Sequence, residues 1–233
     1  MRAFLLALCS AAICAAADAA PASIDDSLAQ RLAACTVCHG KAGRAAPDGY
    51  HPRLAGKPAG YLLHQLQNFR DGRRRYGPMV TLIDPLPDPY LREIAAHFAA
   101  LDLPYAAPPP PQAPPEMLAR GRTLALQGDA ARGLPACTAC HGQTLTGRLP
   151  ATPGLLGLPH DYLRGQLGAW LSGLRRAHAP DCMAELLRRL PGEELNAVVA
   201  WLASQPVPPD AKPAAAPAAG ELLPLRCGSA VTP

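Results

Sequence analysis

The chain has 233 residues, with 22 Lys and Arg against 18 Asp and Glu, for a formal net charge of +4. This length exceeds one typical domain and fits two small ones, and so mild a charge does not favour nucleic-acid binding. Aromatic residues make up only 5% of the sequence, which is thin for two cores, so we expect a buried cofactor to supply apolar surface.

Residues 1–19 have the pattern of a secretory signal peptide. Arg2 supplies the positive charge, an apolar stretch follows it, and small residues place the cleavage after Ala17 or Ala19. The apolar stretch is short for a membrane span, with an uncleaved anchor as the alternative. Cys9 lacks the preceding small residue that a lipoprotein signal requires. We therefore expect a periplasmic protein, exported by this N-terminal signal.

The next segment, residues 23–102, is predicted to form a helical domain. Helices are expected over residues 24–34, after Ser23 as the cap, over residues 60–69, and from about Asp88. The last of these has apolar residues at helical spacing, namely Leu91, Ile94, Ala95, Phe98 and Leu101. No convincing alternating strand pattern appears, so the predicted fold class is all-α.

A C-x-x-C-H motif directly follows the first predicted helix. It consists of Cys35, Cys38 and His39, and it is the attachment signature of c-type haem. Two thiols one helical turn apart can each form a thioether to a haem vinyl group, and the histidine then becomes the proximal iron ligand. The same motif recurs as Cys137, Cys140 and His141. The sequence thus predicts two covalently bound haem c groups. A zinc site is disfavoured for two reasons. A histidine follows each cysteine pair immediately, and the chain is expected to be exported.

The second half of the chain repeats the first at an offset of 101 to 104 residues. The pairs include Pro52 with Pro153, Gly56 with Gly157, Tyr61 with Tyr162 and Gln65 with Gln166. A C-terminal domain is therefore expected over residues 116–205. Its closing helix would bury Leu195, Val198, Val199 and Leu202.

The opposite face of each haem iron decides the chemistry. An open face would suit gas binding or peroxidase activity, whereas a methionine raises the reduction potential and leaves no substrate position. Met79 and Met183 occupy equivalent positions in the two copies and are the predicted sixth ligands; Met1 lies in the signal, and Met117 has no counterpart. The competing histidines are His51, His64, His97, His160 and His178. None of them has a histidine at the equivalent position in the other copy, so we interpret them as surface or structural residues.

Each proximal histidine also has a candidate hydrogen-bond partner. Pro52 and Pro153 follow the motifs at a distance where their carbonyl groups could accept the Nδ1 hydrogen of His39 and His141. Such a bond fixes the ring and strengthens the ligand.

Two segments lie outside the repeated pattern. Residues 103–115 are a proline-rich linker that favours extended structure, and residues 206–233 form a Pro/Ala-rich tail expected to be mostly extended or disordered. Cys182 and Cys227 are left over, and an oxidising compartment favours a disulfide between them.

A basic run comprises Arg70, Arg73, Arg74 and Arg75. It is interpreted as solvated surface, with a docking patch for an acidic partner or a clamp for haem propionates as the alternatives.

These features together resemble the cytochrome c4 family, dihaem electron carriers of the bacterial periplasm, over residues 27–204. The resemblance rests on both C-x-x-C-H-G motifs, including Gly40 and Gly142, both P-x-L-x-G and Y-L-x-x-Q-L segments, and both methionines. It implies two tandem class I cytochrome c domains around a pseudo-twofold axis, each with a His/Met haem, and electron passage between haems near the domain interface. The linker, Cys182, the extra residues before Met183 and the long tail depart from the pattern and leave the partners open.

A dihaem chain of this kind suits three functions to different degrees. The leading interpretation is an electron-transfer protein, not an enzyme, that carries single electrons from a donor such as a cytochrome bc complex towards a terminal oxidase. The alternative is the dihaem electron-accepting subunit of a periplasmic dehydrogenase acting on sulfide, thiosulfate or an alcohol. A dihaem peroxidase is disfavoured by the paired methionines. The expected partners are redox proteins, with no nucleic acid and with peripheral membrane association as an open alternative.

Overall fold

The computed structural model describes residues 27–218 and 220–231. The predicted signal peptide, residues 1–19, and the predicted cap at Ser23 lie outside the described residues. In the first half the helices are α1 (Leu28–His39), α2 (Ala59–Arg70), α3 (Gly77–Ile83) and α4 (Asp88–Ala99). In the second half they are α5 (Pro115–Leu126), α6 (Thr138–His141), α7 (His160–Leu171), α8 (Cys182–Leu187) and α9 (Gly192–Ser204). We call the two halves, residues 28–99 and 115–204 with their connecting loops, the first and second modules.

The all-α prediction is confirmed, with one small exception. Strands β1 (Gly147–Arg148) and β2 (Thr152–Pro153) form an antiparallel pair in which Gly147 lies opposite Pro153. Each strand has only two residues, which is too short for an alternating pattern to be visible in the sequence. None of the helices among the described residues is long and apolar enough to cross a membrane.

The predicted bounds of the first helix are wrong at both ends. Helix α1 begins at Leu28, and the side chain of Ser27 caps it by accepting a hydrogen bond from the Gln30 backbone N–H at 3.3 Å. The helix continues past residue 34 to His39 because no helix-breaking residue interrupts it before Gly40. At Gly40 the backbone turns to a φ of 73°, which glycine tolerates at little cost. The haem motif is therefore the last turn of the helix.

Each module has its own hydrophobic core. The first contains Leu32, Leu62, Leu63, Ile83, Leu91, Ile94, Ala95 and Phe98. The second includes Leu124, Leu163, Leu187, Leu195, Val198, Val199, Trp201 and Leu202. These lists contain the apolar stripes predicted for α4 and α9, except Leu101, which packs against the first core while only partly buried. In the second module α5 crosses α9 closely, because Gly121 lies where a Cβ would come within 2.0 Å of the Ala197 carbonyl oxygen.

The proline-rich linker is held by the first module. Residues 101–112 have no helix or strand. The Arg53 guanidinium donates hydrogen bonds to the carbonyl groups of Leu103 and Pro104 and stacks on the Tyr105 ring at 3.8 Å. The linker is thus fixed by side-chain contacts and not by secondary structure of its own.

The described residues of the tail, 206–218 and 220–231, also contain no helix, but they are bound along the second module. Ala214 exchanges backbone hydrogen bonds with Gly147 and Leu149 at 2.9 and 2.8 Å. Arg148 forms two hydrogen bonds to the Glu221 carboxylate, at 2.6 and 2.7 Å. Of the two expectations for the tail, the extended one therefore fits these described residues, because strand β1 and Leu149 supply partners that the tail sequence does not reveal.

Candidate haem sites

One continuous cavity of about 630 Å³ extends across both modules. Its wall contains every residue predicted to bind haem: Cys35, Cys38, His39 and Met79 from the first module, and Cys137, Cys140, His141 and Met183 from the second. Most of the remaining lining is leucine, proline, tyrosine and similar apolar side chains. The fold thus brings the two predicted ligand sets to one shared apolar space.

The motif cysteines face this space as half-buried thiols. Burial raises the pKa of Cys35 and Cys140, and it raises the pKa of Cys137 to about 11. An apolar wall disfavours the charged thiolate, whereas a thioether carries no charge. The surroundings of these cysteines therefore suit the covalent product.

Both proximal histidines are oriented by a proline carbonyl, as predicted. His39 Nδ1 donates to the Pro52 carbonyl at 2.8 Å, and His141 Nδ1 donates to the Pro153 carbonyl at 2.7 Å. Because a carbonyl can only accept, the hydrogen stays on Nδ1 and the lone pair of Nε2 is left for a metal. Burial lowers the pKa of both imidazoles and outweighs the opposing effect of these hydrogen bonds. The neutral ring is the form that binds iron.

Each methionine lies on a short helix that the sequence analysis did not predict. Met79 is in α3, which has Pro78 in its first turn, and Met183 is the second residue of α8. The Asp181 carboxylate caps α8 by accepting from the Ala184 N–H at 3.0 Å. Proline or aspartate just before a short apolar run is a helix-start signal, and it could have revealed both helices.

A disulfide joins Cys182, the first residue of α8, to Cys227 in the tail. The bridge that the two unused cysteines left open in the sequence is therefore present. Leu223, Leu225 and Ser229 of the tail line the shared cavity. Since the disulfide lies beside Met183, it holds both this methionine and the tail against the second haem site.

We expect the double variant Cys182→Ser, Cys227→Ser to loosen the tail and destabilise the second module. Opening a loop whose ends are separated by 45 positions in the sequence costs about 4 kcal/mol on the chain-entropy model. Urea denaturation and limited proteolysis of the tail measure the effect. Conversely, a urea midpoint equal to that of the wild-type protein, together with a tail that the protease does not cut, would show that the bridge contributes nothing to stability.

A symmetric polar cluster joins the two modules. Arg74 of the first module donates to Gln166 Oε1 at 2.7 Å and to the Tyr162 hydroxyl at 3.1 Å. In return, Arg175 of the second module donates to Gln65 Oε1 at 3.0 Å. Arg74 and Arg175 differ by the same 101 positions as the glutamines, so the repeat could have identified the two arginines as equivalent residues, although not their contacts. The surface interpretation of the basic run is wrong for Arg74, because it packs against the other module.

Two histidines also meet at this interface. The rings of His64 and His178 lie 4.7 Å apart between centroids, and His64 is buried. Burial, followed by the neighbouring His178, lowers the pKa of His64 to about 4. A surface position is therefore wrong for His64, and the structural role that was the other expectation fits it.

The cavity also suits the acidic groups of haem. Arg175 is buried, its Nε has no hydrogen-bond partner among the described residues, and no carboxylate within that part of the chain pairs with it. A buried cation is costly without an anion. A ligand with a flat apolar ring and carboxylate side chains would fill the apolar space and compensate this charge, and haem has that composition. When bound, it supplies one-electron chemistry at iron.

An all-α module that ends a helix in C-x-x-C-H, with the histidine against a proline carbonyl, is a class I cytochrome c, and this chain contains it twice. No protein-family model matches the chain. It is 35% identical over 177 residues to the thiosulfate dehydrogenase electron acceptor of Thiomonas intermedia, covering 76% of this chain and 81% of that protein.

Cytochrome c4 of Pseudomonas aeruginosa is 31% identical over 174 residues, covering 74% of this chain and 84% of that protein. The crystal structure of reduced cytochrome c4 from Pseudomonas stutzeri superposes with a TM-score of 0.64 at 29% identity, covering 75% of this chain and 94% of that one. The chain belongs to the cytochrome c4 family. Membership in this family implies that it binds haem c, and its relatives are electron-transfer cytochromes.

Proposed function

We propose that the protein is a periplasmic dihaem carrier of single electrons, with one haem c attached at each motif. The observation that supports this most strongly is the placement of two histidine and methionine sets in the wall of one shared cavity. An iron held by histidine and methionine has no free position for a substrate. The chain then serves to hold two such sites close together and not to bind a reactant.

The residues of the chain have distinct parts in this proposal. His39 and His141 hold the irons with their rings fixed by the proline carbonyls, so the ligands move little when the charge on iron changes. Met79 and Met183 close the opposite faces. The apolar lining excludes water, and the symmetric polar cluster keeps the two modules in one arrangement, which favours electron passage between the haems.

Export is part of the same proposal. The signal pattern of residues 1–19 supports it, and so does the disulfide, because such bonds persist in oxidising compartments. The physiological donor would be a membrane complex of the cytochrome bc type, and the acceptor a terminal oxidase.

A second candidate is an electron-accepting subunit of a periplasmic dehydrogenase. The similarity to the thiosulfate dehydrogenase electron acceptor supports this candidate. Co-purification of the full-length chain with a catalytic partner, and its reduction by thiosulfate only in the presence of that partner, would favour the dehydrogenase role. Rapid reduction by a cytochrome bc complex and oxidation by a terminal oxidase, with no such partner, would favour the carrier role.

An optical redox titration of the purified protein, combined with a haem-to-protein ratio, tests the proposal directly. We expect two haems per chain, two one-electron steps, and no carbon monoxide binding to the reduced protein, because methionine occupies each sixth position. A single haem per chain would contradict the dihaem assignment. Carbon monoxide binding by the untreated reduced protein would contradict the closed sites and would favour an enzyme.

A further inference from the structure

Lys57 of the first module extends into the haem site of the second. It precedes α2 and is buried, with only 4% of its surface exposed. Its Nζ donates a hydrogen bond to the Gly154 carbonyl at 3.2 Å. Gly154 directly follows Pro153, whose carbonyl orients His141, and both Lys57 and Gly154 line the shared cavity. The ammonium group of the first module therefore lies on the His141 side of the second module's site.

The charge of Lys57 has no counter-charge in the described part of the chain. The carbonyl of Gly154 satisfies one of the three ammonium hydrogens, and no carboxylate within residues 27–218 and 220–231 forms an ion pair with it. Burial, followed by the charge of Arg53, lowers the pKa of Lys57 to about 8. A buried charge of this kind is costly unless an anion pairs with it. The site is therefore incomplete without an acidic ligand in the cavity.

The internal repeat shows that this charge occurs only once. At the offset of 101 residues that relates Pro52 to Pro153 and Tyr61 to Tyr162, the counterpart of Lys57 is Leu158. The symmetric polar cluster, by contrast, has an arginine from each copy, Arg74 and Arg175. Lys57 thus makes the two haem sites electrostatically unequal.

We propose that Lys57 binds a propionate carboxylate of the haem attached at Cys137 and Cys140, and that its charge favours the reduced state of this haem over the other. The inference rests on the proposed dihaem function. A nearby positive charge stabilises the reduced iron, which carries one more electron than the oxidised iron. The electron shared between the two haems is then drawn towards the second module.

The test is the variant Lys57→Met in the full-length holoprotein, which removes the charge from a side chain of similar shape. We expect the equilibrium constant for transfer of an electron from the first haem to the second to fall on the order of tenfold. For a one-electron couple this equals a change of about 59 mV in the difference between the two reduction potentials. Only the second haem should shift, to lower potential. Proton NMR through the titration separates the haems, because the methyl groups of Met79 and Met183 identify them.

Two controls separate charge from packing. Lys57→Arg keeps the charge and should retain the wild-type difference in potential. Lys212→Met removes the same charge from an exposed position in the tail and should change nothing. Unchanged potentials in Lys57→Met, or equal shifts of both haems, would overturn the inference while leaving the dihaem function intact. A wild-type protein with fewer than two haems would instead overturn the proposed function.

Variants that lose a haem are also informative. Lys57→Gln keeps a donor for the Gly154 carbonyl but has no charge. If Lys57→Met and Lys57→Gln both lose the second haem while Lys57→Arg retains it, the ion pair with the propionate is supported. Loss of this haem from Lys57→Arg as well would show that the lysine acts through packing, and would overturn the inference.

Discussion

Replacing Cys137 and Cys140 together by serine is expected to remove one of two covalently attached haems. A hydroxyl group does not form the thioether, so the second motif retains only the histidine as a contact to the cofactor. The second core includes Trp201 but few other aromatic side chains, and an empty cavity loses the contacts that a porphyrin would supply. We therefore also expect the second module to lose stability, while the first keeps its haem.

Intact-mass measurement and a haem assay after denaturation give the result of this double replacement. The haem-to-protein ratio should fall from two to one, and the mass of the chain should decrease by one haem. The variant Cys35→Ser, Cys38→Ser should give the same ratio from the other module. The Cys182→Ser, Cys227→Ser variant is the matched control because it also removes two cysteines but should keep both haems. Two covalent haems in either motif variant would disprove the attachment sites.

Features that depend on short sequence distances could be predicted from the sequence. The motif cysteines and histidine lie within one helical turn, so their relation hardly depends on the rest of the fold. The bonds from His39 to Pro52 and from His141 to Pro153 were predictable for a similar reason, since each spans about a dozen residues with a fixed role in both copies. Comparison of the two copies then identified Met79 and Met183 as candidates, and the cavity wall contains both.

Contacts across long sequence distances could not be derived in this way. The bond from Lys57 to Gly154 spans 97 residues, and the bond from Arg74 to Gln166 spans 92. Both depend on how the modules pack, and a repeat pattern does not determine that packing. Lys57 is also hidden from the repeat because its counterpart is Leu158. The hydrogen-bond partners of the tail were hidden for a related reason, because they lie at Gly147 and Leu149 of the second half.

Each of Met79→Ala and Met183→Ala is expected to abolish the methionine-to-iron(III) charge-transfer band of one haem. The protein as a whole should then keep about half of the wild-type intensity of this band. Alanine has no sulfur atom to donate, so the affected iron acquires an open face, a lower potential and the ability to bind carbon monoxide when reduced. Optical spectra of the oxidised and reduced variants measure these changes. Met117→Ala is the control, because Met117 lies on α5, has no equivalent in the first module, and is absent from the cavity wall.

The two methionine sites should also differ in how readily they open in the wild-type protein. Met183 follows a disulfide-bonded cysteine and the capping carboxylate of Asp181, whereas the first residues of α3 have no side-chain cap and no disulfide. On heating, half of the charge-transfer band should therefore disappear first, and it should be the half that Met79→Ala removes. In the Cys182→Ser, Cys227→Ser variant the two halves should disappear at temperatures that are closer together.

The two predictions fail on different results. Full wild-type spectra in both alanine variants would refute methionine ligation. Earlier loss of the Met183 half on heating would refute only the stabilising role of the bridge.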